Sequence, residues 1–268
     1  MSALRIGIAG CKGRMGKMLV QAVVENPDCE LAGGTVREGD PAAGEDIGTL
    51  FALGETGAKV LTDPVELFAA SDAVIDFTKP ELAARHADLA AQSKVALIMG
   101  TTGLGEAEQE ALNRAARHTQ VVQAPNMSLG VNLLLDLVEQ VARALDPGFD
   151  IEIAEMHHRH KVDAPSGTAL ALGKAAAAGR GVDLDEVADR GRDGHTGARR
   201  EGDIGFAVLR GGDVAGEHTV VFAGAGERIE LTHKAGSRAI FAQGAVKAAV
   251  WANRQDPGLY SMKDVLGL

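Results

Sequence analysis

Aromatic residues are scarce in this chain of 268 residues, which has one Trp, one Tyr and seven Phe. Its core must therefore be built from Ala, Val, Leu and Ile. Cysteine is scarcer still. Cys11 and Cys29 lie close together near the N-terminus. They cannot form a disulfide framework and lack zinc-site spacing, so a reducing, cytoplasmic setting fits. An excess of basic residues is also missing. The 27 Lys and Arg stand against 37 Asp and Glu, for a formal net charge of −10. That argues against a nucleic-acid partner, although a local basic patch can still hold an anionic ligand. The opening MSALRIGIAG meets glycine too soon for a signal segment or a membrane span, so neither a leader nor a membrane anchor is expected.

Glycine is abundant, with 34 residues, and implies many tight turns and close backbone approaches. Apolar residues at 46% and charged residues at 24% exclude fibrous and disordered classes. From Leu4 to about Ala124, short β-branched runs alternate with helical stretches. Leu4–Ala9, Glu30–Val36, Ala73–Phe77, Val95–Met99 and Val121–Ala124 read as strands. Met15–Glu25, Pro80–Gln92 and Gly105–His118 read as helices. Strands separated by helices of this length form parallel βαβ units. Their continuous apolar runs fit strands covered on both faces.

After Asn126 the rhythm changes. The pattern predicts a helix over Leu129–Leu145, a strand over Asp150–His158 and a helix over Thr168–Ala178. Gly179–Gly202 is rich in glycine and arginine and reads as a loop. Ile204–Arg210, Glu217–Ala223 and Glu227–Lys234 are closely spaced strands, which indicates an antiparallel or mixed sheet. A helix over Ala239–Asn253 precedes a short tail. The fold class is α/β, with a Rossmann-like parallel-sheet cofactor domain and a smaller α+β substrate domain built on an open mixed sheet. The boundary near residue 127 rests on the change of rhythm.

Two segments carry the chemistry. The first strand runs into Gly10-Cys11-Lys12-Gly13-Arg14-Met15-Gly16, with a helix behind it. A sharp turn whose backbone approaches a pyrophosphate, with the anion on free amides at a helix N-terminus, needs glycine. The spacing is GxxGxxG, looser than GxGxxG, so a plain strand-to-helix turn is the rival reading. At the end of the second strand, Val36 cannot accept from a ribose 2′-OH, and Arg37 can pair with a 2′-phosphate. Lys12 and Arg14 add positive charge, so NADPH is preferred and NADH remains possible. Against this, Arg37 can be a solvated charge, with Glu38 in the acidic role.

The second segment runs from Glu155 to Thr168 and holds His157, His158, His160 and Lys161. Histidine titrates near neutrality and suits proton transfer. A lysine among cations can act as an acid. Pro165, Ser166 and Gly167 lead into the predicted helix, whose first amides and Thr168 hydroxyl suit a carboxylate. A small polyanionic substrate fits. HHxH as a metal site is disfavoured, because strand alternation sends His157 and His158 to opposite faces. Ordinary surface histidines are the other alternative.

Together these motifs resemble the 4-hydroxy-tetrahydrodipicolinate reductase (dihydrodipicolinate reductase) family of diaminopimelate and lysine synthesis. The resemblance spans the chain through GCKGRMG, DFTKP at Asp76–Pro80, GTTG at Gly100–Gly103 and APNMSLGVN at Ala124–Asn132. GHTG at Gly194–Gly197 and GEHT at Gly216–Thr219 agree, and HHRHKVDAPSGTA at His157–Ala169 is its most specific part. The resemblance implies that Gly10, Cys11, Lys12, Gly13, Arg14 and Met15 hold the pyrophosphate and that Arg37 meets the adenosine end. Gly100, Thr101 and Thr102, with Ala124, Pro125, Asn126 and Met127, are expected on the nicotinamide side. His157 is the implied acid/base residue and Lys161 the proton donor. His158, Gly167 and Thr168 are expected to bind the carboxylates of a small dicarboxylate substrate.

The resemblance also implies a discontinuous cofactor domain, residues 1–127 and 239–268, around a substrate-binding and oligomerisation domain at 128–238. It further implies a homotetramer joined through the substrate-domain sheets; the residues themselves give no metal site. Many members carry an acidic residue just before the arginine, where this chain has Val36. Two other classes stand beside this reading. One is a dehydrogenase acting on an amino-acid semialdehyde; the other is a non-catalytic NADP sensor, which would have little use for the His–Lys segment.

Overall fold

The computed structural model describes residues 2–268. It divides into two compact units, residues 2–129 with 239–268, and residues 130–238.

The first unit carries β1 (Leu4–Ala9), α1 (Arg14–Val24), β2 (Cys29–Thr35), α2 (Ile47–Leu50), β3 (Val60–Leu61) and α3 (Pro64–Ala70). It continues with β4 (Ala73–Asp76), α4 (Pro80–Ser93), β5 (Ala96–Met99), α5 (Glu106–Ala115) and β6 (Gln120–Gln123). The strands form one sheet in the order β12-β6-β5-β4-β1-β2-β3, where β12 is Gly258–Tyr260. Every pairing in it is parallel. β1 has β2 on one side and β4 on the other, so the chain order reverses there, and a crevice opens beyond the carboxyl ends of these strands.

Both faces of this sheet are covered. Ile6, Ile8, Ile75 and Ile98 pack on one side against α1 and α9 (Ala239–Ala252). Val74, Leu97 and Met99 pack on the other against α3, α4 and α5. Most helix residues in these contacts are Ala, Leu or Val. That allows the close approach expected of a core short of rings.

The second unit has α6 (Leu129–Ala144) leading into it, then β7 (Asp150–His157), α7 (Gly167–Arg180), α8 (Leu184–Val187) and β8 (Ala188–Asp189). It ends with β9 (Ile204–Arg210), β10 (Gly216–Ala223) and β11 (Arg228–Ala235). The sheet order is β11-β10-β7-β9-β8. β10 is antiparallel to β7 and β11, and β7, β9 and β8 run parallel, so the sheet is mixed. Burial in β7 alternates strictly. Ile151, Ile153, Glu155 and His157 face inward, where α7 covers the apolar end of the sheet.

The structure corrects several expectations. The 179–202 segment is not all loop, since it contains α8 and β8. The tail after α9 holds β12, which pairs with β6, and α10 (Met262–Leu266). Strand β7 stops at His157, one residue early, and α7 starts at Gly167, one residue earlier than expected. α2, β3 and α3 gave no signal because each is short and none has a full apolar stripe.

Candidate active site

In the first unit, Gly10 has φ of +71°, a left-handed turn that favours glycine. Its N–H donates to the Thr35 hydroxyl (3.1 Å), and the Cys11 N–H donates to the Thr35 carbonyl (3.0 Å), so the loop is tied to the end of β2. A Cβ on Gly16 would stand 2.3 Å from the Gly10 carbonyl oxygen, which explains the last glycine of the motif. Gly13 stands at the N-cap of α1 with no side chain to cap it, and the helix has no acidic residue in its first turn. Its first amides therefore suit an anion, and the residues present fit a dinucleotide pyrophosphate.

Cys11 takes part only through its backbone. Its side chain is fully buried, and burial pushes the thiol up to about 11. Burial also raises Cys29. Neither is a ready nucleophile, which weighs against an acyl-enzyme semialdehyde dehydrogenase. Lys12 donates to Asp40 at 2.6 Å, and Asp40, held by Lys12 and the Ala42 N–H, lies below the usual carboxylate range. Part of the loop's positive charge is thus spent internally. Arg37 is exposed and has no side-chain partner among the described residues.

At the carboxyl ends of β4, β5 and β6 a cavity of about 480 Å³ is lined by Met15, Phe77, Thr101, Thr102, Asn126 and Met127, among others. Gly100 and Pro125 also line it. Ala124 does not. It is buried beneath, its N–H bonded to the Met99 carbonyl. Gly100 lies so near the Phe77 ring that a Cβ would stand 2.3 Å from it.

Sequence reasoning gave Asp76 no role. Its buried carboxylate accepts from His86 Nδ1 (2.6 Å), from the Thr78 N–H (2.7 Å) and hydroxyl (2.6 Å), and from the Thr101 hydroxyl (3.3 Å). Burial alone would raise the carboxyl, but His86 and Thr78 outweigh it and hold it below its usual value. The pair fixes two residues of the cavity wall, Thr78 and Thr101.

In the second unit His157, at the end of β7, is buried, and Nδ1 meets Glu155 Oε2 at 2.5 Å. Arg210 donates to both Glu155 oxygens at 2.9 Å, and the Ser166 N–H donates to Oε1 at 2.9 Å. These donors outweigh burial and hold the Glu155 carboxyl below its usual value. His218 packs edge-on to His157, with ring centroids 5.0 Å apart, and contacts the Ser166 hydroxyl at 3.1 Å. Burial, aided by His157, pushes His218 down to about 4, so it is neutral at neutral pH.

Glu155, His157 and His218 offer ligand atoms within 4.8 Å of one another, a grouping that the HHxH spacing did not suggest. A cation there would compete with the Arg210 guanidinium for the carboxylate.

His158 leaves the strand on its own course. Its Nε2 accepts from Arg238 at 3.1 Å. Burial, with Arg238 next, lowers its pKa. Lys161 does not sit among cations alone. Its ammonium pairs with Asp163 at 2.8 Å and holds that carboxyl below the usual range. The cap of α7 is Ser166, whose hydroxyl accepts from the Ala169 N–H at 3.1 Å, and not Thr168. Gly167 and Thr168 occupy the first turn behind it, Gly167 exposed and Thr168 half-buried.

The sequence missed Glu155, Ser166, Arg210, His218 and Arg238. Glu155 had a local signal, two positions before His157 on the same face of a strand, and Ser166 had one as a serine directly before a predicted helix.

Two family models match, described as dihydrodipicolinate reductase, N-terminus, over residues 4–127, and dihydrodipicolinate reductase, C-terminus, over residues 130–266. A 4-hydroxy-tetrahydrodipicolinate reductase of Methylocella silvestris is 58% identical over 268 residues, covering 100% of this chain and 98% of that protein. That of Agrobacterium fabrum is 53% identical with the same coverage. Among solved structures, the dipicolinate-bound dihydrodipicolinate reductase of Paenisporosarcina sp. TG-14 has a TM-score of 0.77 at 23% identity, covering 97% of both chains. GenD2 from gentamicin A biosynthesis, in complex with NAD, has a TM-score of 0.59 at 16% identity, covering 99% of this chain and 91% of that one. Both structural likenesses concern the fold. Matched by both family models across nearly all of its length, and 53–58% identical to relatives of which it covers 98%, this chain belongs to the dihydrodipicolinate reductase family.

Proposed function

We propose that the protein is a cytoplasmic oxidoreductase that uses NAD(P)H to reduce 4-hydroxy-tetrahydrodipicolinate to tetrahydrodipicolinate with loss of water, in diaminopimelate and lysine synthesis. The observation that carries this reading is the full-length identity of 53–58% to relatives bearing that name. The two sites agree with it. The Gly10–Met15 turn takes the pyrophosphate on the bare amides of α1. Gly100, Thr101, Thr102, Pro125, Asn126 and Met127 line the cavity for the nicotinamide. Ala124 supports them from below.

When bound, the reduced nicotinamide supplies hydride. Loss of water gives the substrate a conjugated ring, on which reduction would develop negative charge. The cationic segment answers that charge. Lys161 or His157 delivers the proton. His158, Gly167 and Thr168 hold the substrate carboxylates, which fixes the ring for transfer.

The exposed Arg37, just past Val36, supports a preference for NADPH through its 2′-phosphate. The outward face of the second sheet supports a homotetramer. Ala154 and Met156 on β7 register with Ala207 and Leu209 on β9, and Leu209 is 57% exposed. Among the described residues no helix is long and apolar enough to cross a membrane.

The test is NADPH oxidation with and without the dicarboxylate. Turnover only with it supports the assignment. Cofactor binding without any turnover would point to an NADP sensor, and turnover of a semialdehyde instead would move the chain to another dehydrogenase class.

A further inference from the structure

Glu155 has no direct place in the reaction, yet it is among the most heavily bonded side chains in the second unit. Its side chain is 1% exposed. Arg210 approaches both oxygens as a bidentate fork, and the backbone of Ser166 adds a third donor. A carboxylate held this way is ionised and can only accept. The imidazole nitrogen that meets it at 2.5 Å must therefore carry a proton. That nitrogen is Nδ1, so in the neutral ring the bare nitrogen is Nε2.

Three further features surround that ring. His218 closes one edge, and its own low pKa keeps it from adding a second cation. Gly216, with φ of +154°, passes close to the outer nitrogen, and a Cβ there would stand 3.0 Å from Nε2. Lys161 lies apart from the carboxylate, bonded to Asp163, and Asp163 is in turn fixed by its carbonyl accepting from Arg210 at 2.7 Å. Arg210 thus braces both Glu155 and the turn that carries Lys161.

We propose that Glu155 is the positioning residue of the site: it fixes the His157 ring with the proton on Nδ1, so that Nε2 exchanges protons with the substrate. This rests on His157 being the acid/base residue proposed above. Arg210 keeps Glu155 ionised and aligned, and the glycine at 216 keeps Nε2 uncovered.

The test uses the whole chain with ¹⁵N-labelled histidine. Long-range ¹H–¹⁵N spectra distinguish the two imidazole tautomers, and the His157 signal is assigned by its loss in His157→Gln. In the wild type His157 is expected as a single Nδ1–H tautomer. In Glu155→Gln a mixture is expected, with kcat lower by about 10–100-fold, the scale seen when the carboxylate orienting a metal-bound histidine is removed, and with KM for the dicarboxylate little changed. Because this variant leaves the half-buried Arg210 against a neutral group, Glu155→Leu/Arg210→Met is made beside it. It removes both charges together and leaves no buried ion unpaired. Thermal melts establish that each variant is folded.

A wild-type ring protonated on Nε2 would overturn the proposal. So would folded variants that keep both the single tautomer and wild-type kcat. If the tautomer mixes in the variants but His157→Gln still turns over normally, Glu155 orients the ring as stated and the proton-carrier reading of His157 is what fails.

Discussion

His157 and Lys161 differ in how they are held. His157 is buried and anchored at one nitrogen, whereas Lys161 is tied to an exposed aspartate in a turn. Each is expected to lower kcat by about 10²–10⁴-fold on substitution by Ala, the usual loss of acid/base catalysis. Near-normal steady-state kcat in both purified variants would remove them from the reaction. His218 makes a separate prediction about stability. Its folded pKa of about 4 lies below the ordinary 6.5. Below 6.5 the unfolded chain therefore takes up a proton that the folded chain refuses. Stability is full above that pH and falls as pH drops toward 4. At pH 5 the loss from this group is about 2 kcal/mol. Denaturant unfolding at pH 7.5 and pH 5 should show a smaller drop in His218→Gln than in the wild type, and equal drops would refute the assignment.

Elements reach the sites through close backbone approaches that only glycine permits. α9 crosses the chain where it leaves β6, and a Cβ on Gly244 would stand 1.8 Å from the Met127 carbonyl oxygen. Since Met127 lines the cavity, Gly244→Ala is expected to shift α9, cost about 1–3 kcal/mol as overpacking and weaken cofactor binding. Gly191→Ala, which would meet nothing within 4 Å, is the control. Thermal melts and cofactor titration of both variants check this. Strands β1, β4, β5 and β6 were legible because each is a short apolar run covered largely on both faces, whereas β3 is too short to give a signal. β12 was not legible either. Its three residues are a strand only because β6 lies beside them, more than a hundred positions back in sequence.

For the whole molecule, the long-range field of a chain with net charge −10 opposes a polyanionic cofactor, so any discrimination for the extra phosphate must be local. With Lys12 engaged by Asp40, Arg37 is left as the main candidate. Calorimetry should give tighter binding of NADPH than NADH, with most of the difference lost in Arg37→Ala and less preference at high salt. Equal wild-type affinities, or a preference surviving in Arg37→Ala, would move the discrimination to Arg14. Assembly is tested by light scattering. The wild type should run as a tetramer and Leu209→Asp as a smaller species with its fold intact. A tetramer in both would place the interface away from this sheet face.

By itself, the sequence determined the two-part α/β architecture, the phosphate turn and the His–Lys segment. Each is written in consecutive residues: strand and helix in hydrophobic period, the turn in glycine spacing, the segment in an unusual run of titratable side chains. Only the tertiary structure decided how that segment is wired. Parallel pairing of β7 with β9 sets His157 beside Arg210, and antiparallel pairing of β7 with β10 sets Glu155 beside His218. These partners lie more than fifty residues apart, and register, which no local pattern encodes, brings them together. Asp76 and His86 are only ten residues apart, yet they too meet through packing, where a strand end and a helix face join beneath the cavity wall. Hydrogen-bond partners of buried charges are chosen by the packing of whole elements, since a buried ion is tolerated only where the fold delivers its counter-groups.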